Sequence, residues 1–178
     1  MDATELRAMQ APIKDRYKSD PGAALITLKA KGSLDDQSIA CKVETGRALA
    51  IAGLHPATGG SGMELCSGDM LLEALVACAG VTLNAVATAI DVNVKEGRVS
   101  AEGDLDFRGT LGVDREAPVG FRDIRLKFEL DTDADDEQLA TLDKLTERYC
   151  VVYQTLVGGS TLSTRIDRAP DSTRTDVA

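Results

Sequence analysis

Hydrophobic and polar positions divide this chain into segments of two different periods. In the stretch "RVSAEGDLDFRG", Val99, Ala101, Gly103, Leu105 and Phe107 alternate with Arg98, Ser100, Glu102, Asp104 and Asp106. A period of two sends one set of side chains into a core and the other into water, so a half-buried strand is predicted. "FRDIRLKFELD" repeats the pattern, with Ile124, Leu126, Phe128 and Leu130 inward. Nearer the N-terminus, "AALITLKAKG" reads as a strand, and "SIACKVETG" places Ile39, Cys41 and Val43 on one side of another. Thr45-Gly46 predicts a tight turn into "RALAIAG", which would complete a small antiparallel sheet.

Elsewhere the period lengthens. From Asp69 to Ile90, Leu71, Leu75, Cys78, Thr82 and Ala85 recur at three- and four-residue steps and are expected to share one helical face. Small residues dominate from Ala74 to Ala89, which lets another element approach closely, and Ser67 or Gly68 can cap the start. The first twenty residues read as a short helix broken at Pro21-Gly22. "DTDADDEQLATLDKLTERY" opens with acids, as a helix N-terminus prefers, and carries Leu139, Leu142, Leu145 and Tyr149 near one face. "CVVYQTLVGG" continues the helix or kinks into a short second one, stopped by Gly158 and Gly159. "STLSTRID" is expected to be a last strand, and residues 169–178 a disordered tail after a single domain at 1–168. The loop from Thr110 to Gly120 is long enough to be functional or mobile. Helix, three strands, long helix, two strands, two helices and a strand make an α+β fold with antiparallel sheet.

Composition narrows the chemistry. Aromatic residues make up only 3% of the 178 residues, with no Trp, so the core must be built from Leu, Val, Ile and Ala. A net charge of −9 without a basic cluster argues against nucleic acid. No stretch of about 18 apolar residues that would cross a membrane and no signal-like N-terminus is read, so no membrane partner is expected and a cytoplasmic location is. Thiols stay reduced there unless they do redox chemistry. The four cysteines are Cys41, Cys66, Cys78 and Cys150, and His55 is the single histidine. Without a C-x-x-C pair or clustered N/S ligands, neither a metal nor another cofactor is expected. Nothing in "GLHPATGG" marks His55 as a hydrolase base. On residue type alone each cysteine could equally be a small core hydrophobe. Cys41 fits that role by its strand alternation, Cys66 lies in a Gly-rich loop, and Cys150 follows Arg148 at a possible helix start that would favour a thiolate.

A Gly-rich loop, then "GDMLLEALVACAGVTL", two amphipathic strands, a helix and "RYCVVYQTL" resemble the OsmC/Ohr family of thiol-dependent hydroperoxide reductases over roughly residues 12 to 168. The resemblance implies an intertwined homodimer with long central helices packed between sheets from both chains. It implies Cys78 as the peroxidatic thiol and Cys150 as the resolving one. The substrate would be a small-molecule, organic hydroperoxide, and the enzyme would be reset by a dithiol reductant, typically lipoyl-linked. It further implies an arginine held by an acid beside the thiolate. Asp69 stands about where the family places its glutamate, one methylene shorter, or equally is a helix-start acid favoured by the dipole. Arg47, Arg16 and Arg148 are the candidate arginines, with Arg47 the first choice and an exposed turn residue the alternative for it. Where the family tends to have proline after the second cysteine, this chain has Val151. The alternative within the same family is a non-catalytic protein that binds a small apolar ligand, or senses oxidants, in the dimer cavity.

Overall fold

The computed structural model describes residues 3–34, 41–43, 52–63 and 65–166. The chain begins with helix α1 (Ala3–Ser19), ended by a 3-10 turn at Pro21–Ala24 that Asp20 caps from its side chain. Tyr17, almost wholly buried, anchors α1: its hydroxyl donates to the Ala57 carbonyl at 2.7 Å. Strands β1 (Leu25–Leu34), β2 (Cys41–Val43), β5 (Val94–Asp106) and β6 (Phe121–Thr132) form one antiparallel sheet in the order β2-β1-β5-β6. The short β3 (Ala52–Gly53) pairs in parallel with β4 (Leu65–Cys66). Of the expected antiparallel trio, β1 and β2 pair as predicted, while Ala52–Gly53 at the end of "RALAIAG" pairs with the segment entering the long helix. The Thr45-Gly46 turn and Arg47 lie outside the described residues.

The two long strands behave as their alternation requires. Val99, Ala101, Gly103 and Leu105 are buried, and their cross-strand partners include Phe128, Leu126 and Ile124. On the other face, Arg125 pairs with Asp104, Asp123 and Glu102 in water. Gly103 has a packing reason, because a Cβ there would meet the Phe121 ring at 2.4 Å. The inward residues of β6 are only half-buried, so this face of the sheet is incompletely covered.

Helix α2 (Ser67–Ala89) lies on the sheet and contacts β1 and β5 as well as helices α4 (Asp136–Tyr149) and α5 (Val151–Gly158). By length and composition α2 could cross a bilayer, but its bulkier side is packed inside this fold. That side is Leu72, Leu75, Val76, Ala79, Leu83 and Val86. The stripe of Leu71, Leu75, Cys78, Thr82 and Ala85 lies at the margin of that side: Leu75 is buried, Leu71 is 38% exposed, and Cys78, Thr82 and Ala85 are half-buried. A helix apolar nearly all round has no periodicity that selects a face, and contact with the sheet makes the choice. The helix cap is Cys66, not Ser67 or Gly68, because β4 runs directly into the first turn.

Between β5 and β6 the chain makes one turn of helix, α3 (Phe107–Thr110), and a loop that closes on itself. The Asp106 carboxylate is buried and receives hydrogen bonds from the Arg108 backbone N–H at 3.1 Å, from Arg108 Nε at 3.0 Å and from Nη2 at 2.5 Å. Arg108 Nη1 reaches Asp114 at 3.3 Å. A Cβ on Gly109 would meet the carbonyls of Ala117 and Pro118 at 2.6 Å, so the loop ends pack backbone to backbone. These contacts give the Thr110–Gly120 segment a fixed closure.

Helix α4 starts with a full capping box: Asp135 Oδ1 accepts the Gln138 N–H, and Gln138 Oε1 accepts the Asp135 N–H. Leu142 is buried and Leu139 and Leu145 are half-buried, whereas Tyr149 departs from the expected face at 59% exposed. The α4 to α5 break falls at Cys150, whose extended backbone (φ −73°, ψ 109°) closes one helix and opens the next. Gly159 in positive φ follows the end of α5, as its sequence suggested. Residues 159–166 form no strand, and Leu162 and Ile166 are 88% and 98% exposed. The predicted disordered tail lies outside the described residues.

Candidate active site

Two cysteines 72 residues apart in sequence meet where α2 passes the start of α5. Cys78 sits midway along α2 on its outer stripe, and Cys150 is the buried residue at the α4–α5 break. The meeting follows from the kink. Breaking the helix at Cys150 leaves the first N–H groups of α5 without intrahelical partners, and both sulfurs take them up. The Val151 and Val152 N–H groups donate to the Cys78 sulfur, and the Tyr153 N–H donates to Cys150 Sγ at 3.5 Å. The Cys150 thiol also donates to Cys78, as does the hydroxyl of Thr82, one turn further along α2. All three of Cys66, Cys78 and Cys150 are free thiols.

These contacts make the two sulfurs unequal. Burial pushes the Cys78 thiol up, but the Val152 N–H, the Cys150 thiol, the Val151 N–H and the Thr82 hydroxyl together hold it below the ordinary thiol value. Burial pushes the Cys150 thiol up as well, and its bond to Cys78 adds to that against the Tyr153 N–H. The pair therefore contains one thiol whose ionisation its neighbours favour and one whose ionisation they and burial oppose, the asymmetry that a nucleophile and its resolving partner need. Alkylation by iodoacetamide should consequently titrate first at Cys78. Its rate is expected to reach half-maximum at a pH below that of a free cysteine, while Cys150 reacts only at higher pH, as peptide mapping of the modified protein would report.

No lysine or arginine among the described residues contributes to the acidity of Cys78. The end of a second helix supplies the backbone donors instead. Arg47 lies outside the described residues, Arg148 stacks over Tyr149 at 5.7 Å, and Arg16 acts on Tyr17. Asp69 is placed away from the thiols. Nine residues of helix separate it from Cys78, about two and a half turns, so the two side chains leave α2 on opposite sides. Asp69 has His55 as its electrostatic neighbour: burial raises its carboxyl and the histidine partly offsets this. His55 is lowered by burial, stacks on Phe107 at 5.0 Å and accepts the Ala57 N–H on Nδ1. Cys66 is half-buried against the same core. No group of three or more His, Cys, Asp and Glu side chains among the described residues is arranged to hold a metal.

A groove of about 590 Å³ runs between β6 and the α4–α5 pair, with Leu75, Phe121, Leu126, Phe128 and Leu156 on its walls and Cys150 at its base. Thr82 and the first N–H groups of α5 are the members of this site that sequence reasoning missed. The threonine was legible only as a neighbour of Cys78 on one helix face, and no local signal pointed to the helix end.

A family profile described as "OsmC-like protein" matches residues 59–165, more than half of the chain. No protein of curated function matches. Among solved structures, the fold is similar to an OsmC-like hydroperoxide resistance protein from Jannaschia sp. CCS1, with a TM-score of 0.60 at 15% identity over 83% of this chain and 97% of that one. It is also similar to an OsmC-like protein from Mycoplasma pneumoniae, with a TM-score of 0.53 at 16% identity over 76% of this chain and 86% of that one.

Proposed function

This chain belongs to the OsmC-like protein family, and on that premise we propose that it reduces organic hydroperoxides with Cys78 as the attacking thiol and Cys150 as the resolving one. The observation that carries the reading is the convergence of the Val151 N–H, the Val152 N–H and the Cys150 thiol on the Cys78 sulfur. The thiolate attacks the terminal oxygen of the hydroperoxide, the O–O bond breaks, and the alcohol leaves while Cys78 becomes a sulfenic acid. The Cys150 sulfur then displaces hydroxide from Cys78 sulfur, and the Cys150 proton leaves with it as water. A dithiol reductant restores both thiols by exchange, becoming a disulfide itself.

The family's hydroperoxide resistance proteins support this direction, and so does the apolar stripe of α2 around Cys78, which suits an organic peroxide better than a charged one. The same stripe supports a homodimer. Leu71 and Val81 are each 38% exposed beside Cys78, and Val151 is 71% exposed at the start of α5. A second copy laid on this face would cover these side chains and roof the thiol.

The deciding experiment treats the reduced protein with one equivalent of cumene hydroperoxide and maps disulfides by mass spectrometry. A Cys78–Cys150 disulfide formed as the peroxide disappears is the expected result. Both thiols remaining reduced while peroxide persists would overturn the peroxidase reading and favour a ligand-binding role for the cavity.

A further inference from the structure

Helix α4 gives way to α5 at a single residue, with no loop between them. The backbone torsions of Cys150 set the angle there, and such a break leaves the last carbonyls of α4 without helical partners. The Cys150 N–H donates to the Thr146 carbonyl at 2.9 Å. The next carbonyl, that of Glu147, is taken by a side chain from beyond the break: Gln154 Nε2 donates to it at 2.8 Å. The neighbouring residue of α5 grips the same partner, because the Tyr153 hydroxyl donates to the Glu147 carboxylate at 2.9 Å. In a continuous helix, residues six or seven apart are separated by about 9–10 Å along the axis, so both bonds depend on the bend at Cys150. Tyr153 is held at its other end too, since its N–H is the group that donates to Cys150 Sγ at 3.5 Å. Packing gives α5 only a loose hold: none of its residues is fully buried, and only Val152, Tyr153 and Leu156 are half-buried.

We propose that Tyr153 and Gln154 are positioning residues: by clasping Glu147 across the break they fix the direction of α5 and so aim the Cys150 sulfur for the resolving step. The inference deepens the peroxidase reading above, on which its role in turnover rests. In that step a lone pair on the Cys150 sulfur forms the S–S bond and the S–O bond of the Cys78 sulfenic acid breaks. The leaving hydroxide takes the Cys150 proton and departs as water. Displacement at sulfur tolerates a narrow range of approach directions, and an orientation held in advance raises the rate of such a step by a large factor. Cys150 is both the last cap of α4 and the first of α5, so the bonds that fix the bend also fix where its side chain starts from.

The test separates aiming from stability. Tyr153→Phe and Gln154→Met remove the two donors while keeping shape and, for the glutamine, helix preference, and they are combined in the full chain. The reduced protein is mixed with dithiodipyridine, quenched in acid at intervals and mapped by mass spectrometry. Formation of the Cys78 mixed disulfide reports the first attack. Its conversion to the Cys78–Cys150 disulfide, with thiopyridine expelled, reports Cys150. A parallel series uses cumene hydroperoxide, and both are run at a pH where the first attack no longer rises with pH, so that the acidity of Cys78 does not enter. In the double variant the first step is expected to stay within about twofold of the parent, and the second to slow roughly fivefold to twentyfold with either reagent. Sulfinic acid at Cys78 under excess peroxide should rise in step with that delay. Glu147→Gln, the conservative change that keeps an acceptor for the tyrosine, should restore the rate lost in Glu147→Leu. A second step as fast in the double variant as in the parent would overturn the proposal. Equal slowing of both steps would overturn it as well, leaving the contacts to Glu147 a role in stability alone. A parent that closes its mixed disulfide but leaves the hydroperoxide untouched would remove the peroxidase reading, while a slowed closure in the variant would still support the positioning role.

Discussion

Serine in place of Cys78 is expected to abolish peroxide-dependent disulfide formation and to cut hydroperoxide consumption by roughly a thousandfold or more, as loss of a nucleophile does. The hydroxyl keeps the size of the thiol but is not ionised by four hydrogen-bond donors, and oxygen does not attack the O–O bond as a thiolate does. Serine in place of Cys150 should behave differently. Cys78 keeps the Val151, Val152 and Thr82 donors and gains a hydroxyl where the Cys150 thiol was, so its first oxidation should stay within about tenfold of the parent rate. What is lost is the second step. The sulfenic acid on Cys78 then accumulates, reacts with dimedone, and passes to sulfinic acid with excess peroxide. Time-resolved mass spectrometry of the two variants reads these fates directly. Peroxide consumption surviving in Cys78→Ser would move the chemistry to another thiol, whereas a normal catalytic cycle in Cys150→Ser would remove the resolving role.

The largest expected effect on stability is at Asp106. Its carboxylate is buried, and Arg108 holds it below the usual carboxylate range through the side-chain bond, with burial acting in the opposite direction. Asp106→Ala removes the acceptor of the Arg108 backbone N–H and of two guanidinium nitrogens, leaving the arginine with Asp114. Because that arginine still reaches water, the loss is smaller than for a fully enclosed pair, about 2–3 kcal/mol at neutral pH. The sign with pH follows from the depressed value. The contribution is complete above the unfolded carboxyl's value, near ~3.9, and fades as pH falls through the lower folded one. Urea unfolding at pH 7 should therefore show the full difference between parent and variant, and at pH 3 the difference should narrow. Identical midpoints at pH 7 would mean that the closure of the 107–120 loop contributes nothing to the fold.

The two long strands were legible in the sequence because period-two alternation is a local property that the sheet merely executes. Val99, Ala101 and Leu105 went inward as their spacing required, and the acids at Asp135 and Asp136 marked the start of α4. The last strand was not legible. "STLSTRID" has the alternation of a strand, but a strand forms only where its backbone finds a partner, and residues 159–166 pair with no strand among the described residues. Helix α2 failed in a subtler way: its length and apolar character were plain, but Leu71 and Leu72 are equally good core residues until a sheet selects one of them.

The same boundary runs through the site. Local pattern was enough to put two cysteines on helical segments, one within a stripe of small residues and one at a break before Val151, and resemblance in these stretches pointed to one family. It took the packed fold to show that the break aims the first N–H groups of α5 at Cys78, that Thr82 joins them, and that Asp69 neighbours His55 on the side of α2 away from Cys78. The reason is physical. A residue's period and capping preference are set within a turn or two of its own chain, whereas the acidity of a thiol depends on which donors are brought within hydrogen-bond reach of it. Here three of those donors, from Cys150, Val151 and Val152, lie more than seventy positions away, and the packing of α5 against α2 brings them there.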